Sequence, residues 1–287
     1  MRNGIDGIDH PVIAVRDMAA AKQAYERLGF VVPPRGSHLE WGTGNWCIMF
    51  AEDYLELRGI IDASRYTHGL EDFLETREGL MGVAFGTIGA DESHRLMREA
   101  GLQPKPVVAL GRNFELPDGW VEPRFRLCFP DDAEVPGLMS VVLCEQLTPE
   151  LIRPPGCLEH PNGTRRVVSM TGVMAAPAEA MVALEVLLGP EAVALDGRQL
   201  ILSPGRGQTI RLLPPEDFAA RYGKAVFDPE PEGPYLAAIG LEVAEIARTR
   251  AVLEENGVPY AAPAPSNLRV GPRETSGLIL EFHGPAD

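Results

Sequence analysis

Hydrophobic and polar positions alternate most legibly between His38 and Gly59, HLEWGTGNWCIMFAEDYLELRG. The stretch predicts a small-residue loop over Gly42, Thr43, Gly44 and Asn45, a strand from Trp46 to Phe50, an acidic turn, and a second strand from Tyr54 to Ile60. Side chains of a strand alternate between faces, so Leu55 and Leu57 point one way while Tyr54, Glu56 and Arg58 point the other. A mid-strand carboxylate between leucines suits either a rim position paired with Arg58 or a ligand inside a cavity. Taken alone, the stretch favours the rim. Its recurrence along the chain favours the cavity.

Upstream, Gly7 to Val15 predicts a first strand with Ile8, His10, Val12 and Ala14 on one face and Asp9, Pro11, Ile13 and Val15 on the other. Pro11 cannot donate to a ladder, which makes this strand start late or lie at an edge. Asp17 is placed to cap a helix from about Met18 to Leu28, and Gly29 to stop it. The order strand, helix, strand, strand, strand then returns. Gly82–Ile88 predicts a strand, Asp91 caps a helix to Ala100, and strands follow at Arg124–Phe129 and Ser140–Glu145. A third copy has Arg166–Met174, a helix over Pro177–Leu188, and strands at Gln199–Ser203 and Thr209–Leu213. A fourth has Tyr235–Val243, a helix over Glu245–Asn256, and a last strand at Gly277–His283. A unit of roughly 70 residues thus occurs four times. The stretch 147–164, rich in Pro and turn residues, reads as a linker between residues 1–146 and 165–287. The class is α+β.

Composition narrows the function classes. The 287 residues, 45% hydrophobic and 23% charged, suit two globular domains. A formal charge of −15 argues against nucleic acid, whose phosphates need a basic surface. No apolar run approaches the roughly 20 residues that span a bilayer. The N-terminal stretch lacks a secretory pattern, so the expected location is cytoplasmic. Cys47, Cys128, Cys144 and Cys157 form no metal-type spacing and read as reduced and structural.

The stretch IDHPVIAVRDMAAAKQAYERLGF, with a histidine strand, a capped helix and Leu-Gly-Phe, resembles the opening of vicinal oxygen chelate proteins. That superfamily includes glyoxalase I, extradiol dioxygenases and bleomycin-resistance proteins. The pattern of His38, Trp41, Gly42, Thr43 and Asn45 followed by YLEL resembles its glyoxalase-like subgroup, as do LTPELIRPP and HPNG in the linker. The resemblance implies four βαβββ modules paired into two cup-shaped mixed sheets, with helices on the convex side. It also implies a divalent metal ion held by residues on the first and last strands of a module, here His10 and Glu56. An imidazole and a carboxylate suit Zn, Fe, Mn, Ni or Co. The other first strands carry Gly82, Ser169 and Ala238 at the position of His10. Glu145 is therefore the leading third ligand, with Gln146 next, or Glu281 if modules one and four pair.

The implied function is a metal-dependent enzyme of lyase, isomerase or dioxygenase type on a small oxygen-bearing substrate. Glu56 or Glu145 would move a proton beside the metal. The rival reading is a non-catalytic binding protein with a decayed metal site. Substrate contacts are expected from His38, Trp41, Asn45, Trp46, Arg58, Arg124 and Arg126. The two last share a strand face, which the apolar character of Phe125 and Leu127 places inside the cup. His160 and the Glu281/His283 pair read as structural or solvated, and His68 and His94 carry no case. The partners expected are a small molecule and, as an option, a second copy in a homodimer, with no nucleic acid and no membrane.

Overall fold

The computed structural model describes residues 2–116, 119–223, 226–227 and 230–285. Its first half runs β1 (Ile5–Ala14), α1 (Met18–Arg27), β2 (Gly36–His38), β3 (Thr43–Met49), β4 (Tyr54–Ile60), α2 (Leu70–Thr76), β5 (Gly79–Thr87), α3 (Ala90–Glu99), β6 (Val108–Leu116), β7 (Gly119–Val121), β8 (Arg124–Cys128) and β9 (Ser140–Gln146). The second half runs β10 (Thr164–Val173), α4 (Met181–Leu188), β11 (Val193–Asp196), β12 (Gln199–Gly205), β13 (Gln208–Leu213), α5 (Pro215–Tyr222), β14 (Tyr235–Val243), α6 (Ile246–Glu255), β15 (Ala261–Ala264), β16 (Asn267–Val270) and β17 (Ile279–His283). Each half forms one mixed sheet. The first has the order β2-β3-β4-β1-β5-β9-β8-β6-β7, the second β11-β12-β13-β10-β14-β17-β16-β15.

The α+β class and the two cups are as expected. In each sheet a first strand lies parallel to a last one (β1 with β4, β5 with β9, β10 with β13, β14 with β17), and the two first strands pair antiparallel at the centre. An additional β2–β6 pairing, with His38 opposite Arg112, closes the first sheet on itself. That closure brings residues 74 positions apart onto one wall.

One continuous core lies behind both sheets. Ile8, Leu55, Leu57, Val83, Phe85, Val141 and Leu143 of the first meet Val167, Met170, Ile239 and Leu241 of the second. The core also takes Ala21 and Tyr25 from α1, Met97 from α3, Leu184 and Leu187 from α4, and Leu253 from α6. Those four helices are the ones the sequence predicts. Of the four, α1 alone starts on an ordinary side-chain cap: Asp17 accepts from the amides of Ala19 and Ala20 at 2.9 Å. At α3 the expectation fails, because Asp91 lies inside the first turn and Glu145 accepts from the Ala90 amide at 2.9 Å.

Two short helices were not predicted, and both lie on inner faces. Leu70 and Leu74 of α2 pack with Val12, Ala14 and Met81 across part of the first cup. Phe218 and Tyr222 of α5 pack with Val173, Leu213, Ala238 and Ile279 and fill the second. There the Tyr222 hydroxyl donates to Glu281 Oε2 at 2.8 Å, and Arg269 Nη2 stands 3.0 Å from Oε1. Glu281, far from frayed, is buried and fully engaged.

The halves are joined by polar contacts inside the shared core. Gln208 Oε1 accepts from the Ile8 amide at 2.6 Å, and its Nε2 donates to Asp53 Oδ2 at 3.2 Å. Asp53 Oδ1 accepts from the Val167 amide at 3.0 Å. No helix among the described residues is long and apolar enough to cross a membrane.

Candidate functional site

A bulge in β1 sets the first site residue. Ile8 pairs with Phe85 and His10 with Ala84, so Asp9 is an extra residue on β1. The extra residue turns Ile8 to the core, while His10 and Val12 face the cup. The strict alternation read from the sequence, with Ile8 on the face of His10, is corrected here. The bulge also brings Asp9 beside His10, whose Nδ1 lies 2.7 Å from Asp9 Oδ2. Gln146 Nε2 donates to the other oxygen, Oδ1, at 2.6 Å. A carboxylate can only accept, so His10 Nδ1 carries a proton and donates to Asp9, and Nε2 is the ring nitrogen aimed into the cup. The Tyr54 ring stacks on the imidazole at 4.3 Å and holds its plane.

Glu56 meets that nitrogen. His10 Nε2 lies 3.6 Å from Glu56 Oε2, as first and last strands of one module allow. Asn45 Nδ2 donates to Oε1 at 2.6 Å, and Arg58 Nη2 stands 2.9 Å from Oε2. Oε2 is buried, and no described group reaches it with hydrogen-bond geometry. Burial pushes this carboxyl up, but Arg58, His10, His38 and Asn45 together outweigh it and hold it at about 2. His38 approaches from β2. Its Nδ1 donates toward the Thr43 carbonyl (3.1 Å) and hydroxyl (2.7 Å), and its Nε2 faces Glu56 Oε1 at 3.8 Å. Burial first, then the Arg58 charge, push His38 down to about 3, so it is neutral at pH 7.

Two imidazole Nε2 atoms therefore face the two oxygens of one carboxylate. That donor set suits a borderline divalent ion, and the Asp9 contact is the usual outer support of a metal-binding histidine. His10 and Glu56 are the residues that could hold it. Three or more His, Cys, Asp or Glu side chains do not close on one point among the described residues. The position the superfamily would give a second histidine is shut: a Cβ on Gly82 would lie 2.2 Å from the Ser140 carbonyl oxygen.

The cavity and its mouth together enclose roughly 640 Å³ of unfilled space. Trp41, His68 and Phe129 form one wall, His68 stacking on Trp41 at 4.7 Å and meeting Phe129 at 4.8 Å. Arg112 of β6 lies opposite His38 and lines the same space.

Of the residues expected from the sequence, His10, Glu56, His38, Trp41, Asn45 and Arg58 line this cavity. The other four do not. Glu145 points outward from β9 to cap α3, which removes it as a metal ligand and as a proton carrier. Arg126 is bonded to Asp91 and Arg124 to Glu122, both on the outer face, since Phe125 and Leu127 take the inner one. Trp46 also points outward, donating to the Met18 carbonyl at 2.9 Å. The sequence reading missed Arg112, Tyr54, Asp9 and His68. Tyr54 was legible, since it shares the Glu56 face. Arg112 was not, because no strand was predicted around it.

With this geometry in hand, the class is clear. The chain matches the model of the glyoxalase-like domain over residues 8–188, a span holding every cavity residue named above, and belongs to that family within the vicinal oxygen chelate superfamily. No functionally curated protein matches it. Among solved structures, it is similar to a hypothetical protein from Staphylococcus aureus, with TM-score 0.69 and 9% identity over 97% of this chain and 99% of that one. It is also similar to a mutant 4-hydroxymandelate synthase from Streptomyces coelicolor, with TM-score 0.60 and 13% identity over 98% and 92%. A third is a xylose isomerase-like TIM barrel/4-hydroxyphenylpyruvate dioxygenase fusion protein, with TM-score 0.59 and 14% identity over 98% of this chain and 48% of that one. The chain thus spans about half of that fusion protein. Identities this low carry the fold alone.

Proposed function

We propose that the first cup is the active site of an enzyme acting on a small oxygen-bearing molecule, with a divalent ion held by His10 and Glu56. The observation that carries this is the pair of facing side chains, His10 Nε2 and Glu56 Oε2, 3.6 Å apart, with no hydrogen bond of proper geometry reaching Oε2 among the described residues. Each donor lies roughly 2.0–2.2 Å from a bound ion in such sites, so two ligands of one ion stand up to about 4 Å apart. When bound, the ion would polarise a carbonyl or enediolate oxygen of the substrate. His38 is the remaining donor of the right chemistry. Two neighbours of similar fold are enzymes by name, a dioxygenase and a synthase, which supports the catalytic reading.

The chain's own residues then divide the work. Asp9, anchored by Gln146, fixes the tautomer and aim of His10. Asn45 and Arg58 fix the Glu56 carboxylate. A carboxyl held at about 2 is a weak proton acceptor near neutral pH, so Glu56 acts as a ligand, and the sequence-based role of proton carrier does not suit it. Trp41, His68 and Phe129 exclude water from one side. The second cup, filled by α5, has a packing role, and residues 1–146 and 165–287 are two domains sharing one core.

A metal-free binding protein is the second reading. It is favoured by Arg58, whose guanidinium already neutralises Glu56 at 2.9 Å. One measurement separates them: calorimetric titration of wild type and His10→Ala with Zn, Mn, Fe, Ni and Co salts, with metal content checked by mass spectrometry. The enzyme reading expects binding by wild type and its loss in His10→Ala. Equal uptake by both proteins, or none by wild type, would sink it.

A further inference from the structure

The cavity contains a cation without a counter-ion. Arg112 is only 3% exposed, and among the described residues no carboxylate lies within ion-pair distance of its guanidinium. Glu56 is engaged by Arg58, and Asp9 by His10 and Gln146. Asn45 stands between Arg112 and Glu56, donating to Glu56 Oε1 at 2.6 Å and facing Arg112 Nη1 with its own oxygen at 3.4 Å. The amide thus keeps the two charges from collapsing into a salt bridge. Nη1 also points at Cys47 Sγ at 2.8 Å. Nε is buried with no partner. The Phe114 and Phe125 rings, 5.2 and 5.9 Å from the guanidinium carbon, steady the charge but accept no conventional hydrogen bond. A glycine makes the placement possible, because a Cβ at Gly36 would lie 2.4 Å from both Arg112 Cδ and Asn45 Oδ1.

Leaving a buried charge unpaired costs several kcal/mol in general, whereas an anion seated on it removes that cost. With Nη1 committed, the free edge of the guanidinium is Nε with Nη2, a two-pronged donor matching the two oxygens of a carboxylate. Around it the lining is apolar: Val12, Leu110, Phe125, Leu127, Phe129 and Val142. We propose that Arg112 is the anion-recognition residue of this site and that its ligand is a small carboxylic acid with an apolar body. The acid group lies on the Nε/Nη2 edge and the body against that wall. This deepens the functional reading above and rests on the same cavity, but not on a metal ion.

The test is calorimetry with benzoate and benzamide, which share shape and differ in charge, on the full chain in chelator-treated buffer. Benzoate is expected to bind at least ten-fold more tightly than benzamide. Arg112→Gln should lower benzoate affinity at least ten-fold, with Arg112→Lys intermediate because it keeps the charge and loses the fork. Equal affinities for acid and amide, no benzoate binding, or full affinity in Arg112→Gln would each overturn the proposal. The acid–amide comparison needs no variant, so a misfolded Arg112→Gln does not rescue it. Metal titrations run separately, so acid binding without metal uptake would sink the metal reading and leave this one standing.

Discussion

Asp53 makes the stability of the whole molecule depend on pH. It is 1% exposed, in the turn between β3 and β4, and it reaches across the core to the Val167 amide and to Gln208. Burial raises its carboxyl from the ordinary 3.8 to about 7; the Val167 amide opposes that rise and the nearby Asp9 charge adds to it. A folded-state value above the unfolded one means the folded chain holds a proton that the unfolded chain has released between about pH 4 and 7. Stability is then fully present below pH 4 and falls as pH rises through about 7. From 3.8 to about 7, at 1.36 kcal/mol per pH unit, the loss is about 4 kcal/mol. Asp53→Asn removes the titration. Its amide faces Gln208 Nε2 and introduces a penalty, but that penalty does not vary with pH. Urea unfolding of both proteins from pH 4.5 to 8.5 reads the difference directly: about 1 kcal/mol has gone by pH 4.5, so wild type should lose about 3 kcal/mol relative to Asp53→Asn across the window. Parallel curves for the two proteins would refute the reasoning.

Two further variants test the inner and outer faces of the first sheet. Glu56→Gln keeps the Asn45 contact but strands Arg58 in the cavity, and a loss of about 3 kcal/mol in unfolding free energy is expected, with metal uptake abolished. Arg126→Ala breaks only an exposed pair with Asp91, so the unfolding midpoint and benzoate affinity should both match wild type. A drop in benzoate affinity in Arg126→Ala would mean that β8 presents its cations inward after all.

Much of this arrangement could be read from residue spacing. Leu55 and Leu57 enter the core and Tyr54, Glu56 and Arg58 the cup, as alternation requires, because β4 is regular. Alternation failed on β1 because the bulge at Asp9 costs one residue of register and leaves no mark in composition. On β8 it paired Arg124 with Arg126 correctly but chose the wrong side. The inner wall of a ligand cup is as apolar as a core, so Phe125 and Leu127 could not tell one from the other. Arg112 was beyond reach for a different reason: its place depends on β2 meeting β6, a pairing set by closure of the sheet and not by any local pattern.

The second cup shows what the first lacks. There α5 folds back and supplies a phenol to the buried carboxylate, with Phe218 as the apolar body beside it. The chain carries, in effect, its own tethered occupant in one cup and leaves the other to the solution. Occupancy of the first cup is therefore adjustable and that of the second is not. A molecule entering beside Arg112 would do for the first half what Tyr222 and Phe218 already do for the second, so the two halves should differ in rigidity until it arrives. Hydrogen exchange along β4 and β6 against β17 would show that asymmetry, and filling the first cup should diminish it.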